Sequence, residues 1–182
     1  MPVDGLVEGA LVKTPGIARG FGVPDTTAAS LTASQYNVVP GTTVTLNGPL
    51  QVGSRFRFHI GVLKTGAGTN TWAVRVAIGT HGTTADTLVA SWTSGTNTAL
   101  ADRGFLVVEC VITAIGSGTS ATAACTAFYV NQATDSTGLG SVSCAATATA
   151  GFNATTATSV HVDVNPGSGA TMTGWGMAEQ LA

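Results

Sequence analysis

The fold is decided by the stretch RFRFHIGV, residues 55–62, in which apolar and polar side chains alternate along the chain. Its even-numbered residues are all apolar, whereas Arg55, Arg57 and His59 occupy odd positions. Successive side chains of a β-strand point to opposite faces, so this pattern predicts a strand with one face in a core.

The same period of two recurs after this stretch. A second strand is predicted over 71–78, with inward residues Trp72, Val74, Val76 and Ile78. The intervening segment 64–70 is rich in glycine and threonine and predicts a hairpin loop. On that arrangement Arg57 and Arg75 lie near each other on outward faces, where a carboxylate or carbonyl partner is expected.

Further strands are predicted at 87–92, 104–115, 120–131, 142–149, 158–164 and 171–181. Strand 104–115 is apolar on both faces, which is typical of a central strand or of one covered by another subunit. In strand 158–164 the valines face inward, and His161 and Asp163 face outward. No segment has a sustained helical period. The sequence therefore predicts an all-β, antiparallel, jelly-roll-like sandwich over residues 36–182.

Residues 1–35 differ from the rest and predict an extended N-terminal arm. They contain three prolines and five glycines and keep no apolar period. Their apolar side chains would be exposed on a free tail, so we expect the arm to lie against its own domain, a sister subunit or another protein. The candidate binding residues are Leu6, Val7, Leu11, Val12, Ile17 and Phe21.

Composition narrows the class of partner. Only 9% of the 182 residues are charged, against about 25% in an ordinary soluble domain, and the net charge is −2. Phosphate binding needs a basic surface, so no nucleic-acid partner is expected.

The longest apolar run, 105–115, contains Glu109 and is shorter than a membrane span of about 20 residues. The N-terminus does not resemble a signal peptide, so we expect synthesis in a cytoplasm and no membrane partner. A surface this poor in charge favours extensive contact with copies of the chain or with a larger assembly.

No arrangement of chemically reactive residues emerges from the sequence. His59 and His161 fall on outward strand positions and His81 in a glycine-rich loop, a spacing that does not indicate a metal or catalytic site. Asp86 and Asp102 are interpreted as turn residues that bond their own backbone. We therefore expect no catalytic residue, no metal site and no cofactor. The three cysteines, Cys110, Cys125 and Cys144, are interpreted as buried free thiols.

The tryptophans suggest one small-ligand alternative. Trp72, Trp92 and Trp175 would stack on a pyranose ring if they faced solvent. Two of them align with core faces, which favours packing over binding.

Three short segments carry a resemblance to a family: 52–58 (VGSRFRF), 79–87 (GTHGTTADT) and 115–122 (IGSGTSAT). They resemble the β-sandwich domains of virion structural proteins in tailed bacteriophages, among them capsid decoration or cement proteins, head fibres and tail fibres. The resemblance covers about residues 40–180 and implies no catalytic residue.

This resemblance implies a non-enzymatic virion protein made in the host cytoplasm. Its leading form is a homotrimeric capsid decoration protein that stabilises the head shell by binding across subunits of the major capsid protein. One alternative is a tail-fibre or minor tail component that recognises the host through loops 64–70, 79–86 and 93–104. The others are a carbohydrate-binding module and a hydrolase on a sandwich scaffold.

Overall fold

The computed structural model describes twelve strands and no helix within residues 20–21, 25–65, 69, 71–93, 102–133, 142–148, 151–168 and 171–181. The strands are β1 (Gly20–Phe21), β2 (Asp25–Leu31), β3 (Asn37–Val38), β4 (Val44–Thr45), β5 (Arg55–Lys64), β6 (Ala73–Gly79), β7 (Thr87–Thr93), β8 (Asp102–Ala114), β9 (Thr122–Ala133), β10 (Val142–Ala148), β11 (Ser159–Asn165) and β12 (Met172–Gln180). All their pairings are antiparallel.

These strands form two sheets wound as a jelly roll. The seven-stranded sheet has the order β1-β12-β5-β8-β9-β10, with β2 also paired to β12. The five-stranded sheet has the order β3-β11-β6-β7, with β4 also paired to β11. In each sheet a strand from the end of the chain is inserted between strands from its beginning, which is the double Greek-key winding of a jelly roll. The β9–β10 meander extends the first sheet. The predicted all-β sandwich is confirmed.

The core lies between the two sheets, and the alternation in β5 directs side chains into it. The inward residues Phe56, Phe58, Ile60 and Val62 are buried, as predicted. From the opposite sheet, Trp72, Val74, Val76 and Ile78 are buried against the same cluster. Burying each large apolar side chain contributes about 1.5–3 kcal/mol to folding.

The predicted hairpin over 64–70 is wrong. β5 pairs with β12 and β8, whereas β6 pairs with β11 and β7 in the other sheet. The segment between β5 and β6 is therefore a crossover between sheets. As a result Arg57 and Arg75 lie in different sheets, and the prediction that they neighbour each other is also wrong.

The central position of β8 is confirmed, because it pairs with β5 on one side and β9 on the other. Cys110 and Cys125 lie opposite each other in this ladder, and both are buried and free, as predicted. The neighbouring Cys125 thiol, together with burial, raises the pKa of Cys110. The side chain of Cys144 lies outside the described residues. Asp102 begins β8 and lies 3.6 Å from the Lys64 ammonium, so its interpretation as a turn residue is wrong.

The edge of the seven-stranded sheet is built from the early part of the chain. β2 pairs with the first half of β12, and β1 pairs with its last residues through Gly20 with Gln180 and Phe21 with Glu179. Both strands fall within 1–35, so this part of the predicted arm is paired into the sandwich. Residues 1–19 and 22–24 lie outside the described residues.

Candidate functional site

The outer face of the five-stranded sheet is covered by residues 80–86, the loop between β6 and β7. Ser159, His161 and Asp163 of β11 point to this face because valines hold the alternate, core-facing positions. All three polar residues are nevertheless buried. The expectation that His161 and Asp163 face solvent is therefore wrong, because the loop folds back over the strand.

Asp86 holds this loop in place. Its Oδ1 accepts hydrogen bonds from the backbone N–H groups of Thr80 and His81, each at 3.0 Å. Its Oδ2 accepts the Gly82 N–H at 2.7 Å and the Ser159 hydroxyl at 3.2 Å, which ties the loop to β11. Burial raises the pKa of Asp86, but hydrogen bonds from the backbone and ring of His81, from the Gly82 N–H and from the Ser159 hydroxyl outweigh it and leave the pKa below its usual value. The prediction that Asp86 bonds the backbone of its own turn is confirmed.

His161 lies between two carboxylates. Its Nδ1 is 3.7 Å from Asp86 Oδ2, and its Nε2 is 3.3 Å from Asp163 Oδ1. Neither ring nitrogen forms a hydrogen bond with a described residue. On the far side, Arg75 Nε lies 2.6 Å from Asp163 Oδ2, and its guanidinium lies 4.1 Å from the centre of the Tyr36 ring. We call Arg75, Asp86, Ser159, His161 and Asp163 the polar cluster.

The polar cluster fixes loop 80–86 to β11. The Ser159 hydroxyl donates to the Asp86 carboxylate and accepts the Gly82 N–H. His161 has no exposed surface. Arg75 also donates to the carbonyl oxygen of Thr84 at 2.8 Å, which adds a second tie to the same loop.

The outer face of the seven-stranded sheet is different, because apolar side chains line it in two adjacent cross-strand rows. The first row is Trp175, Gly61, Phe105 and Val130, in the order β12, β5, β8 and β9. The second row is Met177, His59, Val107 and Phe128 in the same order. We call these eight residues the apolar rows. Side chains opposite each other in a ladder are about 5 Å apart, so each row is a continuous surface.

Gly61 permits the closest contact in the apolar rows. A Cβ atom at this position would come within 2.4 Å of the Trp175 indole, so the ring lies against the glycine backbone. The His59 and Phe105 rings lie next to it, with their centres 6.3 Å apart and their planes tilted by 38°. The aromatic groups thus form a packed surface layer.

A charged row borders the apolar rows. It consists of Glu179, Arg57 and Glu109, which are registered across β12, β5 and β8. Arg57 Nη2 lies 2.6 Å from Glu109 Oε1, and Arg57 Nε donates to the same oxygen at 2.8 Å. Both side chains are substantially exposed. The carboxylate expected for Arg57 is thus Glu109, and the one expected for Arg75 is Asp163.

A third feature is an aromatic pocket of about 370 Å³ near the start of β6 and the end of β7. Its lining residues are Tyr36, Trp72, Ala73, Val74, Ser91, Trp92, Thr93, Leu106, Ala127 and Tyr129. Trp72 Nε1 donates to the Tyr129 hydroxyl at 3.2 Å, and the two rings pack edge to face with centres 4.9 Å apart. The indole N–H of Trp92 is buried and has no acceptor among the described residues.

Tyr129 remains a neutral phenol in this pocket. Burial raises its pKa, the hydrogen bond from Trp72 lowers it, and the negative charge of Asp102 raises it further. The net shift is upward. The hydroxyl therefore remains able to donate as well as accept a hydrogen bond at neutral pH.

Comparison with known proteins gives little. No protein-family model matches the chain, and no curated protein matches it. Among solved structures it matches one described as "Structure of infectious bursal disease virus Gx strain", with 13% identity and a TM-score of 0.20. The match covers 100% of this chain and 45% of that chain, so this chain spans less than half of the other's length. Similarity of this degree does not bear on function.

The sequence-predicted binding residues Leu6, Val7, Leu11, Val12 and Ile17 lie outside the described residues. Phe21 is placed by its backbone pairing with Glu179, and its side chain lies outside the description. Of the proposed recognition loops, 79–86 is fixed by the polar cluster, and 64–70 and 93–104 are described only in part.

Sequence reasoning correctly placed Trp72 in the core but missed the pocket. Tyr36 lies before β3 and Tyr129 lies in β9, and only the crossing of the chain between sheets brings them to the same place. Within the described ranges, no group of three or more metal-ligating side chains is gathered together. Among the described residues, no helix is long and apolar enough to span a membrane.

Proposed function

We propose that this chain is a non-enzymatic structural protein of a virion, and specifically a homotrimeric decoration protein that binds across subunits of a tailed-phage capsid. The observation that carries the proposal is the pair of apolar rows. Phe105, Phe128 and Trp175 leave 47, 43 and 37% of their surfaces exposed there. Contiguous exposed apolar surface on a soluble domain marks an interaction site.

The apolar rows supply binding energy only when a partner covers them. Each Å² of apolar surface removed from water contributes about 25 cal/mol. Arg57 and Glu109 neutralise each other at the border of the rows, so the face favours a partner surface that is also apolar and weakly charged. Several such contacts made at once by a trimer on a repeating shell add through effective concentration.

The N-terminal segment supports the same location. β1 joins the sheet where Phe21 pairs with Glu179, and Glu179 belongs to the charged row next to the apolar rows. Gly20 and Phe21, which directly follow residues 1–19, therefore lie beside the border of this face. We propose that the apolar residues of 1–19 extend the contact with the shell or with a sister subunit.

A non-enzymatic role agrees with the contacts of the polar cluster. Its carboxylates already bind Arg75 and the backbone of loop 80–86. A reacting group placed there would compete with the contacts that fix the loop.

The test compares two sets of surface variants. Phe105→Ser, Phe128→Ser and Trp175→Ser are combined to remove the aromatic groups of the apolar rows. The matched control combines Leu88→Ser and Val52→Ser, which change two exposed apolar side chains outside those rows. Sedimentation velocity measures the oligomeric state, and co-sedimentation measures binding to capsids of the encoding phage prepared without this protein.

We expect the wild type and the control to form trimers and to sediment with capsids, and the triple variant to do neither while keeping its β circular-dichroism spectrum. Deletion of residues 1–19 is expected to leave that spectrum intact and to weaken capsid binding. A wild-type chain that stays monomeric at micromolar concentration and does not bind capsids would overturn the proposal.

A further inference from the structure

We infer that the aromatic pocket between the ends of β6 and β7 binds a neutral sugar, a hexopyranose or a disaccharide of hexopyranoses. This site is separate from the apolar rows, because its large-sheet residues Leu106, Ala127 and Tyr129 face the core side of their strands. The inference therefore does not depend on the decoration role.

The size of the pocket fits such a ligand. At about 370 Å³ it falls within the range of about 300–1,000 Å³ that is typical of small-molecule sites. A side chain of a partner protein would fill less of it than a disaccharide does. The mixture of large aromatic groups and a few polar atoms is also the usual composition of a small-molecule site.

The aromatic residues supply the surface that a pyranose recognises. Tyr36 and Trp92 are partly exposed in the lining, and the buried Trp72 and Tyr129 lie behind them. The face of an aromatic ring carries partial negative charge, and the axial C–H groups on one face of a pyranose carry partial positive charge. Stacking of the two also removes apolar surface of both from water.

The polar atoms supply hydrogen bonds suited to hydroxyl groups. Ser91 and Thr93 are exposed residues of the lining, and their hydroxyl groups can donate and accept. A sugar hydroxyl matches all of these because it also does both.

The charge of the lining selects a neutral ligand. None of the ten described residues that line the pocket is charged. The Arg75 guanidinium is close to Tyr36 but is bound to Asp163. A uronic acid or a phosphorylated sugar would therefore lose hydration of its anion without gaining a cation.

The experiment titrates the full chain with methyl glycosides of glucose, galactose, mannose and N-acetylglucosamine and with their β-linked disaccharides. Binding is followed by isothermal calorimetry and by tryptophan fluorescence. The main variant is Trp92→Ala, which removes the partly exposed ring from the pocket. The matched control is Trp175→Ala, which makes the same change on the outer sheet face. Thermal unfolding of each variant confirms that it is folded.

We expect saturable binding of at least one neutral sugar, a loss of affinity of about tenfold in Trp92→Ala, and no change in Trp175→Ala. Methyl glucuronide is expected to bind more weakly than methyl glucoside. Three results would overturn the inference: no neutral sugar binds, Trp92→Ala binds as tightly as the wild type, or Trp175→Ala abolishes binding. Saturation by a peptide of residues 1–19 with no response to any sugar would instead assign the pocket to the chain's own segment.

These outcomes are distinguishable from failure of the proposed function. Trimer formation and capsid binding are measured with variants of the apolar rows, and sugar binding is measured with variants of the pocket. A chain that binds sugar and ignores capsids would retain the inference and overturn the decoration role.

Discussion

The two outer faces of the sandwich differ in what covers them. On the five-stranded sheet, polar residues of β11 lie under loop 80–86 and are fully buried. On the seven-stranded sheet, the aromatic side chains of the apolar rows remain in solvent. Polar groups are thus covered by the chain itself, whereas apolar groups are left uncovered, the reverse of ordinary burial. The chain thus completes one face by itself, and we propose that a partner covers the other.

Of the changes that test this difference between the faces, Asp163→Ala on the covered face is expected to lower the free energy of unfolding most. The change leaves Arg75 and His161 without the carboxylate that lies 2.6 and 3.3 Å from their nitrogens. Removing one partner of a buried ion pair costs about 3–5 kcal/mol, because the remaining charge stays buried and unpaired. Urea unfolding of the full chain measures the loss.

Asp163→Asn is the control for shape, and it is expected to lose less, because the amide oxygen can still accept from Arg75. A loss of under about 1 kcal/mol in Asp163→Ala would mean that water reaches the polar cluster when the carboxylate is removed. The distinction between a covered and an open face would then fail.

The polar cluster also shows where sequence reasoning stops. Alternation in β11 correctly directs His161 and Asp163 away from the core valines, because side-chain direction has a period of two along any strand. It does not reveal that loop 80–86 returns over that face, which depends on contacts between Asp86 and Ser159, 73 positions apart. The direction of a side chain is set by the local backbone, whereas its burial under another segment depends on the whole fold.

Connectivity was harder to predict than strand position. Segments 55–62 and 71–78 are both strands, as predicted, and consecutive strands usually neighbour each other. The jelly roll instead sends β5 and β6 to different sheets. The same crossing brings Tyr36, Trp72 and Tyr129 into one pocket, so no spacing along the chain could have indicated it.

Acid is expected to weaken the hydrogen bonds that Asp86 makes between loop 80–86 and β11, with an intermediate effect on stability. The pKa of Asp86 is lower in the folded chain than in the unfolded one. Its stabilising contribution is therefore present above the unfolded value of about 3.9 and is lost as the pH falls through the folded pKa. Melting temperatures of the wild type and Asp86→Asn, measured from neutral to acid pH, isolate this contribution.

We expect the wild type to melt at a higher temperature at neutral pH, and the difference to narrow below about pH 4. The imidazoles that face Asp86 are those of His81 and His161, and both chains keep them. Two curves that stay parallel into strong acid would show that the charge of Asp86 does not hold the loop.

The smallest effect is expected from Glu109→Ala on the open face. Glu109 and Arg57 approach as closely as Asp163 and Arg75 do, at 2.6 Å in both pairs, but their side chains are 49 and 38% exposed. Water and salt screen such a pair, so its loss is expected to cost about 0.2–1 kcal/mol and to shrink at high salt. The contrast with Asp163→Ala therefore compares an exposed ion pair with a covered carboxylate that also faces His161. If a shell subunit covers this face, the same Glu109→Ala change should destabilise the capsid-bound protein more than the free chain, since covering the pair removes the screening. Equal effects in the free and bound states would place the contact elsewhere on the molecule.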